Sequence, residues 1–141
     1  MSDYSPVKGG SILAIAGTIN HLHFICSDPF FYKNTGKHSV VAVNISSVKE
    51  GFPYDKTCIL RAGDHPFIKH KSYVYYKGAA VLQIEKIRYA VEAGEFTVLE
   101  DVSPSILKNV LDGFSTSPFT PAKILKALQT ASQSKWRASV S

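Results

Sequence analysis

Cysteine is scarce in this chain: Cys26 and Cys58 each stand alone inside an apolar segment. Two cysteines exclude a four-cysteine zinc site, and their surroundings point to buried free thiols rather than a disulfide. Long apolar runs are missing too, since none approaches the ~20 residues that a helix needs to span a bilayer. Met1-Ser2-Asp3-Tyr4 has neither the basic nor the apolar region of a secretory signal. A soluble, cytoplasmic protein with no membrane partner is therefore expected. Acidic residues are in deficit, 11 against 16 Lys and Arg, giving a net charge of +5. That balance favours a polyanionic partner without proving one.

What is present is a globular composition. Hydrophobic residues make up 45% of the chain and charged residues 19%, so disorder is excluded over most of its length. At 141 residues with no internal repeat or linker, one domain spanning 1–141 is expected. Its polar leader (1–9) and serine-rich tail (132–141) are expected to be mobile, although Trp136 offers the tail a means of docking.

The densest chemistry lies in Gly63-Asp64-His65-Pro66-Phe67-Ile68-Lys69-His70-Lys71-Ser72-Tyr73-Val74-Tyr75-Tyr76. Gly63-Asp64 and Pro66 interrupt any regular pattern, so the first half reads as a loop. The β-branched and aromatic second half reads as a strand. A loop held by a strand is a common way to present polar groups. A solvated polar loop that merely caps backbone groups fits the same residues.

Along the chain, strands are expected near 11–16, 20–26, 38–45, 57–61, 72–76 and 95–99, with Gly17-Thr18 as a turn. His21 and His23 fall on one face of the second strand, with Leu22 on the other. The stretch from Phe30 to Lys37 reads as a long connection, a flap over a groove. Val81, Ile84, Ile87 and Val91 recur at helical spacing, predicting a helix over 79–93 with Gly94 as its C-cap; a strand through 81–84 competes. Ser103-Pro104 and Thr120-Pro121 are helix starts, predicting helices over 104–112 and 121–130. The sum is an α+β fold, a small, strongly bent antiparallel sheet or barrel with C-terminal helices.

This order of elements resembles the MazF/PemK-like toxins of toxin–antitoxin systems. His21-Leu22-His23-Phe24-Ile25-Cys26-Ser27-Asp28 is similar to the family's second-strand motif, with His21 where the catalytic arginine would lie. Val41-Ala42-Val43-Asn44-Ile45-Ser46-Ser47 is similar to the next strand, which ends in Thr or Ser. Ser72-Tyr73-Val74-Tyr75 and Val102-Ser103-Pro104-Ser105-Ile106-Leu107 resemble a later strand and the closing helix. The likeness runs over residues 9 to 113. The Gly63-Asp64-His65-Pro66 loop and the second C-terminal helix have no counterpart in it. The resemblance implies a barrel-like ribonuclease with an antitoxin partner.

Cleavage of RNA by its own 2′-hydroxyl needs a base, an acid and stabilisation of the phosphorane. Histidines and lysines can supply all three. His65 and His70 are the leading acid–base pair, His21 and His23 the alternates, and Ser46 joins the catalytic set. Substrate contacts fall to His23, Ser47, Asp64, Lys69, Lys71 and Tyr73, with Tyr75 and Phe31 offering further stacking faces. Alternate aromatics on a strand are more often packing. No cofactor and no metal are expected, because the histidines lack a recognised ligand spacing. The expected partners are single-stranded RNA, an antitoxin protein and a second copy of the chain. Two other classes stay open. One is a non-catalytic protein- or nucleic-acid-binding module; the other is a metallohydrolase using His21, His23, Asp64 and His65 or His70.

Overall fold

Alternating apolar residues in the first half of the chain supply the middle of a sheet. The computed structural model describes residues 4–16 and 19–140, the side chains at 16, 19 and 134–140 excepted. The Gly17-Thr18 turn and the docking of Trp136 lie outside the described residues. Among the described residues seven strands form one antiparallel sheet: β1 (Ser11–Ala16), β2 (Ile19–Ile25), β3 (Phe30–Tyr32), β4 (Lys37–Ser47), β5 (Ile59–Leu60), β6 (Ser72–Gln83) and β7 (Phe96–Leu99). Its order is β5-β6-β4-β2-β1-β7, and β3 pairs with β4 beyond the end of β2. The sheet curls into a half-barrel with three helices, α1 (Ile84–Glu92), α2 (Pro104–Thr116) and α3 (Ala122–Val140). The expected α+β architecture is the one found.

The two faces of the sheet are covered unequally. Leu22, Phe24, Val41, Val43, Val74 and Tyr76 pack with Val110 and Phe114 of α2 and Ile124 and Ala127 of α3. Tyr76 fixes this contact: its hydroxyl donates to the Val110 carbonyl at 2.6 Å, and its ring meets Phe114 edge-on at 4.9 Å. Gly113 makes room for it, because a Cβ there would overlap the Tyr76 hydroxyl. On the opposite face α1 covers only one end, where Ile12, Ile25, Val40 and Ala42 enclose Ile87. None of the described helices is packed against the remainder of that face.

Several elements differ from the expectation. The connection expected from Phe30 to Lys37 contains β3, closed onto β4 by a turn with Gly36 at φ +68°. The strand expected at 57–61 is only the two-residue β5. The helix expected over 79–93 begins at Ile84, and β6 occupies 72–83. Its pairing with β4 shifts between Ala42 and Asn44, so Ala42 pairs with Ala80 but Asn44 with Tyr75. This bulge lets both Tyr76 and Ala79 face the α2–α3 core. Gly94 does end α1: at φ +79° it donates to Val91, and Glu95 donates to Ala90, a Schellman closure. Pro104 opens α2 as expected, although the Ser103 hydroxyl makes no capping bond.

Candidate functional site

On the uncovered part of the sheet, strand alternation brings several polar side chains together. His23 is the register partner of Asn44, and Asn44 is that of Tyr75. Ser46 pairs with Tyr73, and extending the β2–β4 register by one residue sets His21 opposite Ser46. His21, His23, Asn44, Ser46, Tyr73 and Tyr75 therefore share one face. Lys71 has the same parity as Tyr73, and its carbonyl still accepts from Val48 in the ladder at 3.0 Å.

His23 is held in a defined state. Its Nδ1 lies 3.1 Å from the His21 carbonyl, which can only accept, so Nδ1 carries the proton. Nε2 has no hydrogen-bond partner among the described residues. Burial pushes the imidazole below its ordinary pKa, the hydrogen bond to the His21 carbonyl opposes this, and the neighbouring His21 ring adds to the lowering. A half-buried imidazole that is neutral near pH 7, with one nitrogen anchored and the other open, has the form of a general base. His21 stands two residues away on the same strand face, about 6.5 Å along the chain.

The loop around His65 is built differently. His65 is 2% exposed, with its ring 5.5 Å from Phe24. Its Nδ1 accepts from the Phe67 amide at 3.1 Å, so the proton sits on Nε2, 2.8 Å from the Glu100 carbonyl and 3.0 Å from Ser11 Oγ. The Ser11 hydroxyl itself donates to Glu100 at 2.6 Å. Both ring nitrogens are therefore occupied inside the protein, joining the loop to β1 and to residue 100. Asp64 closes the turn by accepting from the Arg61 amide at 2.8 Å. His70 and Lys69 are exposed, so His70 does not share the buried environment of His65. Ser47 is exposed at the end of β4 and pairs with Ser72, on the parity opposite to Ser46.

Other chemistries find less support. Both thiols are free and buried, and burial pushes each pKa up, which disfavours the nucleophilic thiolate. Among the described residues no group of three or more His, Cys, Asp or Glu is arranged to hold a metal. No described helix is long and apolar enough to cross a membrane. A cavity of about 320 Å³ opens between β5 and α2, lined by Thr57, Asn109 and Asp112 among others, and it contains no histidine. Sequence reasoning assigned no role to Tyr54 or Lys56, which the 48–58 loop adds beside the open face. The Tyr54 ring lies 5.3 Å from that of Tyr73, and Lys56 Nζ is 5.7 Å from the Tyr54 ring. Their i, i+2 spacing around Asp55 was the sole local signal.

A half-barrel sheet with two helices on one face defines the class. Among solved structures the chain is similar to a chain from an endoribonuclease in complex with its cognate antitoxin from Mycobacterial species. The TM-score is 0.50 and the identity 18%, over 79% of this chain and 93% of that one. At this identity the likeness is one of fold, and it agrees with the MazF/PemK-like resemblance carried by the sequence motifs. No protein-family model matches the sequence, and no curated protein does.

Proposed function

We propose that the chain is a metal-independent endoribonuclease of toxin type that cuts single-stranded RNA, with its acid–base centre at His21 and His23. The observation that carries this reading is the His23 imidazole, anchored through Nδ1 to the His21 carbonyl with Nε2 open on a polar face. In the proposed reaction, Nε2 of His23 takes the proton of a 2′-hydroxyl. The 2′-oxygen attacks the adjacent phosphorus, the bond to the 5′-oxygen breaks, and His21, protonated, returns a proton to that leaving oxygen. The products are a 2′,3′-cyclic phosphate and a 5′-hydroxyl. The Ser46 hydroxyl and Lys71 are assigned to the non-bridging phosphoryl oxygens, in place of the arginine that the resembling family carries. His65 is assigned a structural role, because a ring with both nitrogens engaged in the interior cannot exchange protons with substrate without breaking its own contacts. Lys69 remains as an exposed positive charge and His70 as an exposed imidazole, neither assigned to the acid–base step.

The fold likeness supports this reading by analogy only, since one fold hosts many activities. On the same analogy the expected protein partner is a cognate antitoxin, and a second copy of the chain would extend the sheet face. The test is direct. Purified protein is incubated with a mixed single-stranded RNA pool, with and without a chelator. Cleavage unaffected by chelator, leaving 2′,3′-cyclic phosphate ends, is expected. An intact pool under both conditions sinks the nuclease assignment and leaves a non-catalytic binding module in its place.

A further inference from the structure

Beside the histidines, the open face carries a row of aromatic rings that the acid–base chemistry does not use. Tyr54 and Tyr73 lie with centroids 5.3 Å apart at 38°, and Tyr73 and Tyr75 at 6.3 Å and 87°. Seating a base between two rings takes two van der Waals spacings, about 7 Å. The rings are therefore too close for insertion between them, and bases would lie on their outward faces. Tyr75 is 36% exposed, and Tyr54 and Tyr73 are partly so.

Charge on this row has one sign. Lys56 stands over the Tyr54 ring, and Lys71 and Lys77 flank the tyrosines of β6, both exposed. Residues 71–78 contain no carboxylate, and Asp55 is tied inward to the Ser117 hydroxyl at 2.6 Å. Rings interleaved with cations suit a polyanion that offers flat, unpaired bases.

One polar group sits between the rings and the histidines. Asn44 is the register partner of both His23 and Tyr75, and it is half-buried. No hydrogen bond to its side chain occurs among the described residues. Gly78 makes this arrangement possible: a Cβ there would lie 2.6 Å from the Tyr75 ring and 2.8 Å from Asn44 Oδ1. The ring and the amide thus pack side by side over a bare backbone. An amide with a free donor and a free acceptor can match a base edge in two hydrogen bonds.

We propose that Tyr54, Tyr73 and Tyr75, with Lys56, form a stacking subsite for unpaired RNA bases, and that Asn44 reads the edge of the base seated on Tyr75. This rests on the assignment of RNA as substrate, and it adds where the bases go and which residue sets the sequence preference. A duplex buries its base faces in its own stack, so the subsite selects single strands. The position of Asn44 between Tyr75 and His23 makes the base it reads a neighbour of the scissile phosphate.

The experiment measures binding without cleavage, by fluorescence anisotropy of labelled 2′-O-methyl RNA, which lacks the attacking hydroxyl. Wild-type protein should bind the single strand at least tenfold tighter than a duplex of equal length. Tyr73→Ala and Tyr75→Ala should each weaken binding by roughly tenfold or more. Tyr73→Phe and Tyr75→Phe should stay within about twofold, which separates loss of the ring from damage to the fold. Asn44→Ala should compress the spread of affinities among A, C, G and U homopolymers while changing their mean far less. Alanine variants that bind like wild type, an equal preference for duplex, or an unchanged base preference in Asn44→Ala would each overturn the proposal. Tight single-strand binding by a protein that cuts no natural RNA would sink the catalytic assignment and leave this subsite standing.

Discussion

The helix-covered face and the open face of the same sheet place histidine in opposite states. On the covered side, His65 spends both ring nitrogens on the Phe67 amide and the Glu100–Ser11 pair, out of solvent. On the open side, His23 spends one nitrogen on the His21 carbonyl and keeps the other. Residue type is the same, so hydrogen-bond occupancy is what separates the two, and the proposed roles rest on it. The same division separates the tyrosines. Tyr76 is locked under α2 by Val110 and Gly113, whereas Tyr73 and Tyr75, on the same strand, face outward. Substitutions on one face should therefore change stability and leave the chemical step alone, and substitutions on the other should do the reverse.

The largest effect expected from this contrast is at His23. Removing a positioned general base typically costs about 10²–10⁴-fold in rate, so His23→Ala should lose that much cleavage with an unchanged urea midpoint. Because burial holds His23 below the ordinary imidazole value, the neutral base persists as pH drops. The acidic limb of the pH–rate profile should accordingly lie below about 6.5. His65→Ala should give the mirror image, leaving the Phe67 amide without its partner and the Glu100 carbonyl with the Ser11 hydroxyl alone. Each buried polar group left unsatisfied costs about 1–3 kcal/mol, read as a lower urea midpoint while the folded fraction still cleaves. A His65→Ala variant that is stable but inactive would reverse the assignment of the two histidines.

Gly113 tests the covered face without touching any histidine. A methyl group there would meet the Tyr76 phenol, and overpacking of this kind costs about 1–3 kcal/mol. Gly113→Ala should lower the thermal midpoint, and adding Tyr76→Phe should recover little of the loss, because the methyl also strikes ring carbons that phenylalanine keeps and the bond to Val110 is lost. The rate per folded molecule should stay as in the wild type. A rate loss larger than the stability loss would show that the two faces are coupled.

How much of this was legible depended on the range of the interactions involved. Ser103-Pro104, Thr120-Pro121 and Gly94 announce helix ends because proline and glycine act on their own backbone, and each marks a real boundary to within a residue. The i, i+2 pair His21/His23 needed only strand periodicity to be placed on one face. Val81, Ile84 and Ile87 carry a helical spacing, which is why Ala79–Gln83 reads as helix although it is strand. The bulge in β6 that lets Tyr76 and Ala79 share a core is set by pairing with β4, a strand more than thirty residues earlier. The engagement of His65, which the sequence pairs with His70, is hidden for the same reason. His65 is claimed by Ser11, 54 residues earlier, and by Glu100, 35 residues later, and nothing near it in sequence reports either partner. The β3 pairing was missed because three residues are too few to establish a period.

The smallest expected effect concerns the loop that touches both faces. Tyr54 and Lys56 lie at the open face while Asp55 between them turns inward, accepting from the Ser117 hydroxyl at 2.6 Å and the Thr57 amide at 2.9 Å. Burial pushes the Asp55 carboxyl up, but the Ser117 and Thr57 hydrogen bonds outweigh it and leave its pKa below the ordinary value. A carboxyl whose folded pKa is depressed adds stability above its unfolded pKa, about 3.9, and that contribution fades as pH falls through the folded value. Wild-type stability should thus contain a component that is whole above about pH 5 and declines in acid. Asp55→Asn removes the charge and one acceptor, and should cost about 1–2 kcal/mol near neutrality and progressively less below pH 4. Chemical unfolding at a series of pH values checks this. Parallel curves for the two proteins, with no convergence in acid, would mean that the Asp55 carboxylate does not hold the loop, and the position of Tyr54 would then need another cause.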